Sequence, residues 1–307
     1  MKCAYHAGYH IALPDGHPFP ISKYALLKDL IVGEGTLRSE DIRAPQPIDL
    51  DSLALVHTRE YLAKLEGPGL SPAEQRLLGM PWSQALWVRS RLAAGGTLLA
   101  ARIALAEGIA ANLAGGTHHA FADHGEGFCV LNDVAVAIAR LRAEGHIRRA
   151  AVLDLDVHQG NGTAAIFQGV EEVFTFSMHG EHNYPARKMR SSLDVALIDG
   201  ATDAEYLQTL RLHLPLVLDR ARADLVFYLA GVDVAAGDRY GKLALTEEGI
   251  RRRDRHVIET VRARGAPLTI LLAGGYAATR LRTAELHAHA FREAAAYECR
   301  TGRAAAP

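Results

Sequence analysis

Asp154-Leu155-Asp156-Val157-His158-Gln159-Gly160-Asn161-Gly162 places two carboxylates and an imidazole within nine residues, directly after the apolar run 150–153. A short β-type run that opens into Asp-x-His and two glycines presents metal ligands at the end of a strand. In extended backbone, residues i and i+2 share a face, so Asp156 and His158 can reach one ion. A carboxylate oxygen with a neutral imidazole suits zinc, or iron(II), better than magnesium. A catalytic zinc needs three protein ligands and an open position. Asp233, after another apolar run, is the natural third ligand, and His179 is its rival at the end of a different run. Read alone, Asp-x-His is more often a loop with a capping Asp and an exposed His than a metal site. Asp154 shifts that balance, because an unpaired carboxylate inside an apolar strand is costly and calls for a partner.

Earlier in the chain lies Gly115-Gly116-Thr117-His118-His119, followed by Gly125-Glu126-Gly127-Phe128. The histidines could be solvent-facing loop residues, but the flanking glycines indicate a shaped loop. Adjacent imidazoles can act as general base and electrostatic partner for an activated water. Each needs an acceptor on its other nitrogen, for which Asp154 and Asn161 are candidates. Tyr276, after Gly274-Gly275, is either a core aromatic or a hydroxyl donor to a polarised carbonyl.

These residues need a frame that gathers them. Nearly continuous apolar runs at 150–155, 173–178, 193–198, 225–230 and 268–273 read as strands covered on both faces. Helical patterns fall at 82–107, 132–144, 203–222, 247–264 and 279–298. Thr202-Asp203-Ala204-Glu205 and Ser71-Pro72-Ala73-Glu74 fit capping boxes, and Thr246 suits another helix start. The alternation predicts an α/β fold with a mostly parallel sheet and helices on both faces, with ligands beyond the carboxyl ends of the strands. No linker or internal repeat is evident, so residues 1–307 are expected to form one domain.

The 307 residues carry 34 Lys+Arg against 35 Asp+Glu, a balance that argues against a general polyanion binder and against nucleic acid as a partner. Three cysteines, Cys3, Cys129 and Cys299, form no CxxC pair and no disulfide framework. Without a signal-type segment or an apolar run near ~20 residues, a soluble, cytoplasmic protein with no membrane span is expected. Arg251-Arg252-Arg253-Asp254-Arg255 reads as a solvated helix face, His287 and His289 receive no role, Cys129 reads as a core or tunnel-wall residue, the turn-rich segment 14–20 as part of a pocket rim, and the Ala-rich end after Arg303 as a frayed tail.

Taken together, the motifs resemble the histone deacetylase / acetylpolyamine amidohydrolase family. The matching pieces are His57-Thr58-Arg59-Glu60-Tyr61-Leu62, Gly116-Thr117-His118-His119, Gly127-Phe128-Cys129-Val130-Leu131-Asn132-Asp133, the 154–162 motif, Gly231-Val232-Asp233 and Gly274-Gly275-Tyr276. Leu155, Gln159 and Asn161, with Gly237-Asp238-Arg239, look most similar to the class IV branch and its bacterial relatives. The resemblance implies an arginase/deacetylase-like three-layer fold with an eight-stranded sheet. It implies Zn2+ (Fe2+ being the other candidate) on Asp156, His158 and Asp233, His119 as main general base with His118 as its electrostatic partner, Asp154 against His118 and Asn161 against His119. Tyr276 would bond the substrate carbonyl. Phe128 would line an acyl-lysine tunnel opposite Tyr184, with Gly127 and Gly274 also at the substrate. A structural K+ would sit at Asp154, Asp156, His158, Ser177 and the Met178 carbonyl.

The expected activity is removal of acetyl, or long-chain fatty acyl, groups from lysine side chains of a protein or peptide. Small acylated amines such as acetylpolyamines are the competing substrate, with Asp123, Glu126, Glu181 or Asp238 as a mouth carboxylate for the distal ammonium. A metal-binding regulatory protein without turnover is a third reading, although the ligands, the His pair and Tyr276 are all present. A two-metal ureohydrolase would need more bridging carboxylates than the single Asp-x-His supplies. Two features depart from the family's pattern. Asn161 stands where many members carry Asp, and a neutral amide raises its His partner's basicity less than a carboxylate does. The loop His179-Gly180-Glu181-His182-Asn183-Tyr184-Pro185 is more polar than the aromatic loop of many lysine deacetylases.

Overall fold

A computed structural model describes residues 1–302; the Ala-rich end after Arg303 lies outside the described residues. The strands are β1 (Lys2–Ala4), β2 (Ile42–Arg43), β3 (Ile109–Asn112), β4 (Ala150–Asp154), β5 (Val173–Gly180), β6 (Leu193–Leu197), β7 (Leu225–Leu229) and β8 (Leu268–Leu271). They form one sheet in the order β2-β1-β3-β8-β7-β4-β5-β6, and every neighbouring pair is parallel. The helices are α1 (Lys23–Gly33), α2 (Leu50–Leu53), α3 (Arg59–Glu66), α4 (Pro72–Leu78), α5 (Gln84–Glu107), α6 (Asp133–Ala143), α7 (Asn161–Ile166), α8 (Asp203–Ala221), α9 (Glu247–Ala263) and α10 (Arg280–Arg300).

The central strands explain their own sequence. β4, β7 and β8 are buried along their whole length, and their residues are apolar apart from Asp154, Tyr228 and Thr269. α5 packs on β1, β3 and β8 and against α6; α8 reaches β4 and β5, while α9 joins α8 to α10 and α10 covers α1. Two separate helix sets thus flank the sheet. The expected caps form at Ser71, whose hydroxyl accepts from Glu74 N while its own N–H donates to Glu74, and at Thr246, which accepts from Gly249 N. At Thr202 the Glu205 carboxylate accepts the Thr202 N–H. Among the described residues, no helix is long and apolar enough to cross a membrane.

Three readings are corrected. β5 runs through His179 to Gly180 instead of stopping at 178. The 251–255 segment is not a solvated face: Arg252 is exposed, but Arg253 and Asp254 are fully buried. Arg253 Nε donates to Asp254 Oδ1 at 2.9 Å, and Nη1 donates to the Gly231 carbonyl at 2.5 Å and toward that of Leu155 at 3.4 Å. Tyr228 of β7 donates its hydroxyl to the same carboxylate at 2.5 Å. This pair therefore fastens the chain where it leaves β4 and β7, next to Asp156 and Asp233. His287 and His289, left without a role, are both buried, His287 beside Lys23 and His289 on Glu247.

Removing one member of a buried pair strands the other charge. Arg253→Ala is expected to lower the free energy of unfolding by about 3–5 kcal/mol in urea titration; a loss below ~1 kcal/mol would show that the pair does not hold the strand ends.

Candidate metal centre and active-site pocket

Beyond the end of β4 the chain turns through residues 155–160 into α7, and this turn carries the motif. Asp156 Oδ2 accepts the Gly274 N–H at 2.6 Å, and Oδ1 accepts the His158 N–H at 2.9 Å. Asp233, past β7, accepts the Val157 N–H on Oδ1 at 2.9 Å. Asp156, His158 and Asp233 each offer a ligand atom, all within 4.8 Å of one another, and all three residues are buried. Gly274 is required here, since a Cβ at that position would overlap Asp233 Oδ2 and meet Asp156 Oδ2.

The donor set fits a divalent ion. Two carboxylates and one imidazole buried together are costly without a cation. Asp233 Oδ2 is buried and completes no hydrogen bond, although His158 Nδ1 lies 3.3 Å away. This oxygen is directed into the cluster and is the kind of orphan a metal would satisfy. Burial pulls the His158 pKa down, but the hydrogen bond to Asp156 and the charges of Asp156 and Asp233 outweigh it and lift the value to about 10. His179, the rival third ligand, is not in the group. Still inside β5, it shares a 2.9 Å hydrogen bond with Ser177 Oγ.

The His pair meets the two acceptors that the resemblance implies. The rings of His118 and His119 lie 4.1 Å apart. His118 Nδ1 meets Asp154 Oδ2 at 2.7 Å, and His119 Nδ1 meets Asn161 Oδ1 at 2.6 Å. Their electrostatics diverge. Burial depresses His118, yet the Asp154 and Asp156 charges overcome it and raise its pKa to about 9. His119 is held well below its ordinary value by burial, then by the neighbouring His118 and His158. The two rings are thus pushed in opposite directions, His118 toward the imidazolium form and His119 toward the neutral one.

Both histidines open onto a cavity of about 380 Å³ whose apolar wall includes Phe19, Tyr24, Leu78, Phe128 and Cys129. Gly127, Tyr184, Gly274 and Tyr276 also line it, as do Asp156 and His158. Tyr184 stands at the mouth, 41% exposed, with its ring edge-on to His119 at 5.0 Å. Phe128 and Ala273, at φ 68° and 56°, hold left-handed backbone that side-chain-bearing residues avoid, and both flank the cavity. The rim expected from segment 14–20 is there: Phe19 lines the wall and His17 packs edgewise on Phe128. Asp238 is not a mouth carboxylate. It accepts the N–H groups of Tyr240, Gly241 and Tyr276, and so fixes the backbone that carries Tyr276.

Lys23 was missed. Its ammonium is buried at the back of the site, donating to the Ala273 carbonyl at 2.9 Å and lying 3.3 Å from His287 Nε2. Burial lowers its pKa to about 8 against the pull of Asp233 and Asp156. A lysine at the start of an amphipathic helix carries no sequence signal of burial; only the topology, which lays α1 on α10, places it there.

The fold gathers a group that could hold a metal ion and a His pair at one rim of a parallel α/β sheet, and comparison with known proteins gives the family. The histone deacetylase domain model matches residues 17–291. An uncharacterized protein of Picosynechococcus sp. is 47% identical over 273 residues, 89% of this chain and 91% of its own. Histone deacetylase 2 of Arabidopsis thaliana is 31% identical over 269 residues, 85% and 70% of the two chains. A solved structure of an HDAC homolog complexed with SAHA superposes with a TM-score of 0.79 over 96% of this chain and 83% of that one, at 24% identity, which shows the fold. The chain belongs to the histone deacetylase family, a family of hydrolases that act on amides.

If the three-residue cluster is the metal site, Asp233→Ala should weaken Zn2+ binding in chelator competition by more than the roughly 10–100-fold that loss of an outer-shell partner causes. An unchanged zinc affinity would exclude Asp233 as a ligand.

Proposed function

We propose that this chain is a zinc-dependent deacylase that removes acetyl or longer acyl groups from lysine side chains. The observation that carries this reading is the coincidence, at one cavity, of the Asp156/His158/Asp233 cluster with a His pair whose rings lie 4.1 Å apart and are backed by Asp154 and Asn161. Zn2+ on that cluster would supply Lewis-acid polarisation of the amide carbonyl and acidify water, with Fe2+ able to serve similarly. His119, neutral and oriented by Asn161, takes the proton from the attacking water. Tyr276 donates its hydroxyl to the carbonyl oxygen as charge builds on it. His118, kept protonated by Asp154, stabilises that charge electrostatically, and a protonated His of the pair delivers a proton to the departing amine. The products are a free lysine amine and a carboxylic acid.

The substrate side of the reading rests on the lining. Phe128, Gly127 and Gly274 border the channel, Tyr184 guards its mouth, and Phe19, Tyr24, Leu78 and Cys129 offer hydrocarbon contact to an acyl chain longer than acetyl. Among the proposed mouth carboxylates, Glu126 is engaged by Asn161 and Tyr184, whereas Asp123 and Glu181 are exposed, so acylpolyamines stay in the substrate comparison. The affinity to the class IV branch and the treatment of residues 1–307 as a single catalytic domain belong to the same reading. So does a structural K+ at Asp154, Asp156, His158, Ser177 and Met178, supported by Asp154 and Ser177 being register partners on β4 and β5.

Zinc-loaded protein is expected to hydrolyse acetyl- or myristoyl-lysine peptides, and a panel of chain lengths alongside acetylpolyamines gives the preference. Inertness toward every acyl-lysine peptide would overturn the proposal. His119→Ala should lower kcat by about 10²–10⁴, and Tyr276→Phe by about 10²–10³.

A further inference from the structure

Asn161 raises a question that Glu126 answers. An amide can present either its oxygen or its NH₂ to a neighbouring ring, and only the oxygen makes His119 Nδ1 a donor. Asn161 Nδ2 lies 3.0 Å from Glu126 Oε1. A carboxylate only accepts, so the NH₂ must face Glu126 and Oδ1 must face His119. His119 Nδ1 then carries the hydrogen, and the lone pair falls on Nε2.

Glu126 is built to hold that position. Its N–H donates to the Cys129 carbonyl at 3.1 Å, and its own carbonyl accepts the Cys129 N–H at 2.8 Å, closing a small antiparallel bridge. Its side chain is only 13% exposed, with His124 Nε2 3.6 Å from the second oxygen. Tyr184, whose ring stands edge-on to His119, donates its hydroxyl to the same Oε1 that Asn161 contacts. One carboxylate thereby ties together the amide behind His119 and the aromatic ring in front of it.

We infer that Glu126 is a positioning residue that sets the tautomer of His119 through Asn161 and docks Tyr184 over the same ring. The carboxylate that a family member with Asp at this position places directly on its His is here one residue further out, with Asn161 as the relay. This inference rests on the assignment of His119 as general base.

The test is a charge swap in the zinc-loaded full-length protein, assayed on an acyl-lysine peptide. Glu126→Gln frees the Asn161 amide to turn over, and kcat should fall about ten- to a hundredfold, the usual effect of losing an orienting partner, with KM little changed. Asn161→Asp alone sets two carboxylates against each other and should also lower kcat. Combining Glu126→Gln with Asn161→Asp restores a donor facing an acceptor and should return kcat to near the wild-type value. Glu126→Gln and the double variant should keep the wild-type thermal unfolding midpoint, whereas Asn161→Asp, with two carboxylates facing each other, should lower it. Wild-type kcat in Glu126→Gln, losses that simply add in the double variant, or a loss of kcat in Glu126→Gln that follows a fall in its midpoint would overturn the inference. His119→Ala separates the two claims: its inactivity beside a normal Glu126→Gln removes the positioning role alone, whereas persisting turnover in His119→Ala removes the base assignment and this inference with it.

Discussion

Buried negative charge is the constraint on which the rest of the site depends. Asp154, Asp156 and Asp233 sit at the ends of β4 and β7, each at most 3% exposed. Isolated carboxylates in such a place are unstable, so each has a cation, a donor or both. His118 offsets Asp154. His158 lies between Asp156 and Asp233. Lys23 adds positive charge from behind, and its depressed pKa reflects the burial it bears to do so. One oxygen, Asp233 Oδ2, still has no completed hydrogen bond. On the reading proposed above, a divalent ion closes that account.

Charge alone does not give geometry; the backbone around the carboxylates does. Arg253 holds the carbonyls of Leu155 and Gly231, so the two ligand-bearing segments leave their strands together. Gly274 lets its N–H reach Asp156 where no side chain would fit. Lys23 grips the carbonyl of left-handed Ala273, the residue that starts the turn toward Tyr276, and Asp238 holds the Tyr276 N–H from the other side. These contacts come from α1, α9 and two loops, far apart in sequence, and they converge because the parallel sheet brings its carboxyl ends to one rim.

That organisation explains which parts were legible in the sequence. Four of the five strands with runs of apolar residues could be read because burial on both faces leaves a continuous signal; β6 was found through its run as well, but it is an edge strand with only Leu197 buried, not one covered on both faces. β1 and β2 span only 3 and 2 residues, too short for any pattern to emerge, and β3, Ile109–Asn112, follows the Ala-rich α5 after the single residue Gly108 and continues its composition. Asp156 and His158 stood out through their spacing, and Asp154 through its misfit in an apolar strand. Arg253 and Asp254 were misread because a charge cluster on a helix usually faces water, and nothing local reveals that α9 turns these two inward. Lys23 was silent for the same reason. Glu126 was visible only as one of several acids, since its connection to Asn161 and Tyr184 exists only after folding. Side chains that bond along the chain can be read from spacing, whereas those that bond across the fold need the topology.

The most direct test of the account is to strip the protein with a chelator and restore Zn2+ stepwise while following hydrolysis of an acyl-lysine peptide. The account predicts that turnover is lost on stripping, then rises in proportion to added metal and levels off at about one ion per chain, as a three-ligand catalytic site requires. Turnover that survives stripping, or that needs a second ion per chain, would contradict it.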